Sequence, residues 1–324
     1  MKVLVTGGAG FIGSTLVDRL LAEGHAVDVV DDLSTGSLAN LADARADRSH
    51  ELRVHQLDIR SPEVIPLLAR RRPEVVFHLA AQADVRVSVA RPAFDAEVNI
   101  VGSLNVLEGA RAGGARKVVF ASSGGTIYGD PAPADLPVTE SHPQQPGSPY
   151  GVAKKAVGDY LHDYRTLPGL EFTALALANV YGPRQDPHGE AGVVAIFAGR
   201  LLAQEPCTIF GDGRQTRDFV YVDDVVDAFV RAAGRGSGVL CNIGTATETS
   251  VLRLYEVMAA AAAAEGKAPG DGTVAPPVFA PARPGELARS SLDPARARLH
   301  LGWAPWTTLE DGAVAVLRWF ADRA

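Results

Sequence analysis

The stretch Thr6-Gly7-Gly8-Ala9-Gly10-Phe11-Ile12-Gly13 follows a short β-branched run at residues 3–6 and opens an apolar-periodic run that ends at Gly24. A glycine turn leading from a strand straight into a helix is the context in which glycines signal a dinucleotide site. The glycines allow a tight turn and close backbone approach to a pyrophosphate, whose charge the helix N-terminus stabilises without a cation. Further buried-strand patterns at 26–30, 52–57, 75–79, 117–121 and 173–177 alternate with helical patterns such as 14–23 and 99–112, the latter ended by Gly113-Gly114. That alternation predicts a doubly wound parallel α/β sheet.

Composition narrows the class. The chain has 324 residues, 47% of them apolar, enough for one large domain and a smaller lobe. The net charge of −7 is spread along the chain with no basic stripe, so nucleic acid is not expected as a partner. Cys207 and Cys241 are too few for a disulfide framework or a thiolate metal site. No apolar run approaches the roughly 20 residues that span a membrane, and the N-terminal run is too short for a signal peptide. The expected setting is a reducing cytoplasm, with no membrane contact. The histidines show no spacing that makes a zinc site, and no metal is expected.

Asp31 ends the second strand where an acidic residue, about 20 positions beyond the glycines, would bond the adenosine ribose and disfavour NADP. Asp31 or Asp32 could instead simply cap the turn Leu33-Ser34-Thr35-Gly36. Asp58-Ile59 after the third strand is placed to meet the adenine edge. His78-Leu79-Ala80-Ala81-Gln82 follows the fourth strand, with His78 read as a packed strand residue rather than a ligand.

Tyr150-x-x-x-Lys154 opens a helix after Pro146 and Pro149, and i, i+4 spacing puts both side chains on one face. A phenol near pKa 10 is a poor base at neutral pH, but a neighbouring ammonium lowers it into a usable range. The pair lies one helix after Phe120-Ala121-Ser122-Ser123, whose hydroxyls sit at a strand's carboxyl end, where doubly wound sheets bind ligands.

The spacing Gly7-x-x-Gly10-x-x-Gly13, the Tyr150-Lys154 pair and Ser122-Ser123-Gly124-Gly125-Thr126-Ile127-Tyr128-Gly129 together resemble the extended short-chain dehydrogenase/reductase family, in particular its NAD-dependent epimerase/dehydratase branch and the UDP-glucose 4-epimerases. The resemblance covers nearly the whole chain. It implies a Rossmann domain over 1–178 that holds NAD and a smaller C-terminal α/β lobe over 179–324 that holds a UDP-sugar, with parts returning to the large domain. NAD contacts are then expected from Gly7, Gly10, Phe11, Ile12, Gly13, Asp31, Asp32, Ser34, Gly36, Asp58, Ile59, Leu79, Ala80, Ala81, Gln82, Asn99, Ser122, Tyr150 and Lys154. The chemistry would fall to Tyr150 and Lys154. Many such epimerases carry a catalytic serine where this chain has Gly124, so the hydrogen bond to the sugar 4-oxygen must come from Ser123, Thr126 or water, with Thr126 favoured. Related dehydratases and decarboxylases carry an acidic residue in this segment, and Gly125-Thr126 supplies none.

In the second half, Ala178-Asn179-Val180-Tyr181-Gly182-Pro183-Arg184 is similar to a family segment whose asparagine binds the nucleotide sugar. Phe210-Gly211-Asp212-Gly213-Arg214-Gln215-Thr216-Arg217-Asp218-Phe219 resembles the UDP-binding stretch. Arg217 and Arg283 are the expected diphosphate clamps, since a planar guanidinium can hold two phosphate oxygens, and Glu286 is expected at the uridine ribose. Either arginine alone could be an ordinary solvated charge. Thr126, Tyr150, Val193, Val194 and Phe210 complete the expected substrate contacts. A small Ser290 implies room for N-acetylated sugars, and Asn179 stands where glucuronate epimerases tend to carry threonine. By resemblance the protein is a homodimer, paired through helices around 99–112 and 152–164. The competing readings are a glucuronate epimerase, a dehydratase or reductase on the same scaffold, and a non-catalytic dinucleotide sensor, which would not need Tyr150 and Lys154.

Overall fold

The computed structural model describes the chain except for residues 48–50, 168, 188–191, 267–274, 284–286 and 324. Six strands of the central sheet are β1 (Lys2–Thr6), β2 (Ala26–Asp31), β3 (Leu52–Gln56), β4 (Val75–His78), β5 (Lys117–Ser123) and β6 (Glu171–Leu177). The seventh, Val239–Ile243, comes from the second half of the chain and pairs with the far side of β6. The order is Val239–Ile243, β6, β5, β4, β1, β2, β3, every pairing parallel. β1 therefore lies between β2 and β4, and the direction of winding reverses there. At such a point the loops leaving the carboxyl ends part and open a crevice.

Burial on both faces explains the apolar strands. On one side Leu16, Val17 and Leu20 of α1 (Phe11–Ala22) pack in a core that also holds Phe229 and Val316. On the other, Leu67, Leu68, Val106, Leu107, Val157 and Leu161 form a second core. The smaller lobe adds three two-stranded pieces, Asn179–Tyr181 with Phe219–Tyr221, Thr208–Phe210 with Val278–Ala280, and Thr216–Arg217 with Thr249–Ser250. Its helices include Val193–Leu202, Val251–Ala264 and Leu309–Ala321.

Two local readings are corrected. β5 does not stop at residue 121: pairing with β6 continues to Ser123 opposite Leu177, because strand hydrogen bonding carries the two serines along. The run around 99–112 is not one α-helix from Asn99. A helix at Pro92–Ala96 passes into a π-helical turn at Glu97–Val101 and then a helix at Gly102–Gly113. The extra residue of a π turn, a device frequent at functional sites, sits where Asn99 is buried. The Gly-, Pro- and Ala-rich run 265–277 reads in sequence as an exposed loop, and most of it lies outside the described residues. No helix among those described is long and apolar enough to cross a membrane.

Candidate active site

Helix α1 begins so close to the end of β1 that a side chain at position 13 has no room: a Cβ on Gly13 would lie 2.0 Å from the Gly7 carbonyl oxygen. Gly10 caps the helix with extended backbone and no side-chain hydrogen bond, the first turn carries no acidic residue, and a Cβ there would meet only the Gly7 oxygen, at 3.3 Å. The result is a bare cradle of amides at a positive helix end, which suits a diphosphate. Asp31 steadies it from the next strand. Its carboxylate accepts from the Ala9 amide and the Leu33 amide, both at 2.9 Å, and burial raises its pKa. Capping and ribose binding are thus not alternatives here, since each oxygen retains a free acceptor direction. Asp32 turns to Ser34, accepting from its amide, and both are exposed. Gly36 packs against the Asp31 carboxylate. Asp58 spends its carboxylate on Arg60, which lowers its pKa, while Ile59 is buried against Gly102.

Along the carboxyl ends of β1 and β4 lies a buried polar network. His78 Nδ1 is 2.7 Å from the Thr6 hydroxyl and Nε2 is 2.8 Å from the Ser103 hydroxyl. Thr6 Oγ1 accepts from the Leu79 and Ala80 amides, and the Ser103 hydroxyl donates to the Asn99 carbonyl. The tautomer that satisfies every partner carries its proton on Nε2, and burial pushes the His78 pKa down to about 3. His78 is accordingly a neutral strut that fixes the Leu79-Ala80-Ala81 segment. Asn99 exchanges hydrogen bonds with the Gln82 backbone, and both amide side chains donate to one oxygen of buried Asp95.

Tyr150 and Lys154 ride on the helix Pro149–Thr166, which Ser148 caps. Lys154 is buried and its ammonium donates to the Ala121 carbonyl of β5 at 2.9 Å. It stands 4.8 Å from the Phe120 ring centroid and 5.6 Å from that of Tyr150. Desolvation pushes its pKa down to about 8, opposed by the field of Asp95. Gly151 brings the other hydroxyl segment close: a Cβ there would sit 2.7 Å from the Thr126 carbonyl oxygen, so the base of Tyr150's helix presses directly on the turn Gly124–Ile127. Ser123 and Thr126 are half-buried, with the Thr126 hydroxyl donating to the Ser123 carbonyl at 3.4 Å, whereas Ser122 is buried within β5.

The expected sugar-nucleotide residues gather in the smaller lobe. The Arg283 guanidinium lies 4.0 Å over the Phe210 ring centroid, and Arg217 Nη1 donates to the Thr216 and Leu287 carbonyls. Asn179 is exposed and pairs with Phe219 through its backbone. Val193 is half-buried at the start of its helix, but Val194 is core, which leaves only its backbone for a ligand. Glu286 lies outside the described residues, and Ser290 is small and buried. Asp218, next to Arg217 in the UDP-binding-like stretch, carries a role that the sequence reading did not assign. Fully buried, it accepts from the Thr245 amide and hydroxyl, the Ala246 amide and the Leu292 amide, and burial raises its pKa. In sequence it shows only as a member of that stretch, a carboxylate heading the apolar strand Phe219–Tyr221. Among the described residues no cluster of His, Cys, Asp and Glu could hold a metal ion.

A nicotinamide-dinucleotide cradle, a Tyr-Lys pair one helix beyond β5 and an appended lobe define an extended short-chain dehydrogenase/reductase. The chain belongs to the NAD dependent epimerase/dehydratase family, whose model matches residues 3–244. It is 51% identical over 325 residues to the UDP-glucose 4-epimerase of Mycolicibacterium smegmatis, covering 100% of both chains. Among solved structures it is similar to the UDP-glucose 4-epimerase of Thermotoga maritima with UDP-glucose, at 44% identity and TM-score 0.92, covering 100% of this chain and 99% of that one. It also resembles the Thermus thermophilus UDP-glucose 4-epimerase in complex with NAD, at 41% identity and TM-score 0.89, covering 100% of both.

The glycine packing yields a prediction. Gly13→Ala places a methyl group against the Gly7 carbonyl and must open the turn. The purified variant should carry little nucleotide, measured by chromatography of what acid denaturation releases, whereas the parent protein should release close to one NAD per chain.

Proposed function

We propose that this protein is an NAD-dependent UDP-hexose 4-epimerase that interconverts UDP-glucose and UDP-galactose, with the N-acetylhexosamine pair also accepted. What carries the reading is the meeting of Tyr150, Lys154 and Thr126 at the carboxyl edge of β5, the same sheet edge as the glycine cradle, in a chain so similar end to end to UDP-glucose 4-epimerases.

The residues present fit NAD. The amides at the start of α1, those of Phe11 and Ile12 among them, would take the diphosphate, Asp31 the adenosine ribose, and Lys154 with Tyr150 the nicotinamide end. Bound there, NAD would supply the acceptor, and then the donor, of a hydride at the sugar carbon. This chain's own residues do the rest. Tyr150 accepts the proton of the 4-hydroxyl and later returns it, helped by the positive charge of Lys154 in a desolvated site. Thr126 donates its loosely held hydroxyl to the 4-oxygen. Arg217, Arg283 and Phe210 hold the UDP end while few groups grip the hexose, so the keto sugar can turn and present its other face. Ser290 leaves space at the sugar's substituents.

Residues 1–178 serve the cofactor and most of 179–324 serve the sugar nucleotide, with Val239–Ile243 returning to complete the sheet. The protein works in the cytoplasm as a homodimer: Val101, Val152 and Tyr160, 49%, 51% and 41% exposed, give the two proposed pairing helices apolar outer faces.

Incubated without added cofactor, the protein should convert UDP-galactose to UDP-glucose, followed by proton NMR, faster than it converts UDP-glucuronic acid. A keto or unsaturated product instead of an epimer would replace this reading with a dehydratase. Tyr150→Phe should slow conversion by about 10²–10⁴-fold. Because burial holds Lys154 at about 8, the rate should fall on the alkaline side as that ammonium is lost. Asp95→Asn removes the field that raises the Lys154 pKa, so its alkaline limb should lie at lower pH than the parent's.

A further inference from the structure

Gly124 departs from the family pattern, and the structure shows what fills its place. A Cβ at position 124 would lie 2.3 Å from Leu292 Cδ1, 3.1 Å from Leu292 Cδ2 and 3.2 Å from the Ala176 carbonyl oxygen. Leu292 is fully buried, packed with Ile127, Tyr128, Val138 and Ala176, and its segment bridges to Val138. The leucine comes from the far end of the chain. Its backbone amide donates to Asp218 Oδ2 at 3.1 Å, and Asp218 directly follows Arg217. The same carboxylate gathers Thr245 and Ala246, and a Cβ on Gly244 would lie 2.5 Å from its Oδ2. A single continuous contact path therefore runs from the arginine-bearing strand, through a buried carboxylate and one leucine, to the turn that carries Thr126.

We propose that Leu292 is a positioning residue: by occupying the side-chain volume missing at Gly124 while tied to Asp218, it registers the Thr126 turn against the UDP-binding end of the site. This rests on the epimerase reading for the role of Thr126, but not for the mechanical link itself. The arrangement accounts for glycine at position 124. Any side chain there would push Leu292 out of its seat, and the hydroxyl work passes to Thr126 two residues on. It also gives binding at the UDP end a physical route to the hydroxyl it must place, since interiors are close-packed and transmit strain.

The test compares the parent protein with Leu292→Ala, Gly124→Ala and the double variant, all as NAD-loaded full chains. Deuterium exchange of the peptide containing 124–127 is followed by mass spectrometry with and without UDP. UDP should slow exchange there in the parent and not in Leu292→Ala, although calorimetry shows UDP still bound with nearly the parent affinity. Equal protection in both overturns the proposal, whatever reaction the protein catalyses. Absence of epimerisation by the parent would instead count against the functional reading alone. In kinetics, Leu292→Ala should lose about 10- to 100-fold in kcat with KM little changed. Gly124→Ala should lose a similar factor, and the double variant should be more active than Gly124→Ala, because the shortened side chain clears the added methyl. Losses that simply multiply would overturn it. If Leu292→Ala does not fold, Leu292→Val, which withdraws the terminal methyls from Gly124, carries the same exchange measurement.

Discussion

The closeness of helix α1 to the end of β1 is the constraint on which the rest depends. With hydrogen in place of a side chain at Gly13, the helix starts within contact of the Gly7 carbonyl and its uncapped amides face the crevice. That crevice lies where it does because β1 separates β2 from β4. The end of β2 contributes Asp31, which grips the glycine turn, and the loop leaving β4 is held by Thr6 and the neutral His78. The cofactor's two expected neighbours, one at each side, are thus fixed by the same two strand ends.

The second half of the molecule is not a separate body resting on the first. Its strand Val239–Ile243 extends the sheet past β6, and the loop after that strand delivers Thr245 and Ala246 to Asp218. Firm anchoring at the nucleotide end and freedom at the sugar end are what inversion at one carbon requires. The proposed site would offer both: a buried carboxylate and a stacked arginine at its UDP end, half-buried hydroxyls and small residues at its sugar end. Lys154 sits between the two demands. Buried in β5's shadow, it keeps a charge that desolvation opposes and Asp95 supports.

Much of this is legible in the sequence, and for a physical reason. A glycine turn, a Tyr-x-x-x-Lys spacing and β-branched runs are local signals, and local signals survive in a linear sequence. The Asn99 segment reads as a plain helix because a π turn has the same composition as an α turn and differs only in register. Asp58 has the position of an adenine-edge residue, and the structure adds a partner that the sequence reading did not name, Arg60 two residues on. Asp218, Leu292 and the press of Gly151 on Thr126 are not legible, since each depends on partners far away in the chain. The glycine at position 124 does look odd in sequence, but what occupies its space comes only from the fold.

The measurement that tests the central claim most directly uses UDP-galactose carrying deuterium at C4, converted by the NAD-loaded protein in ordinary water with excess unlabelled NADH in solution. Hydride removed and returned within one closed site keeps the deuterium at C4 of the UDP-glucose formed, with none passing to the external nucleotide. Loss of the label to water, or its appearance in the free cofactor pool, would contradict the account.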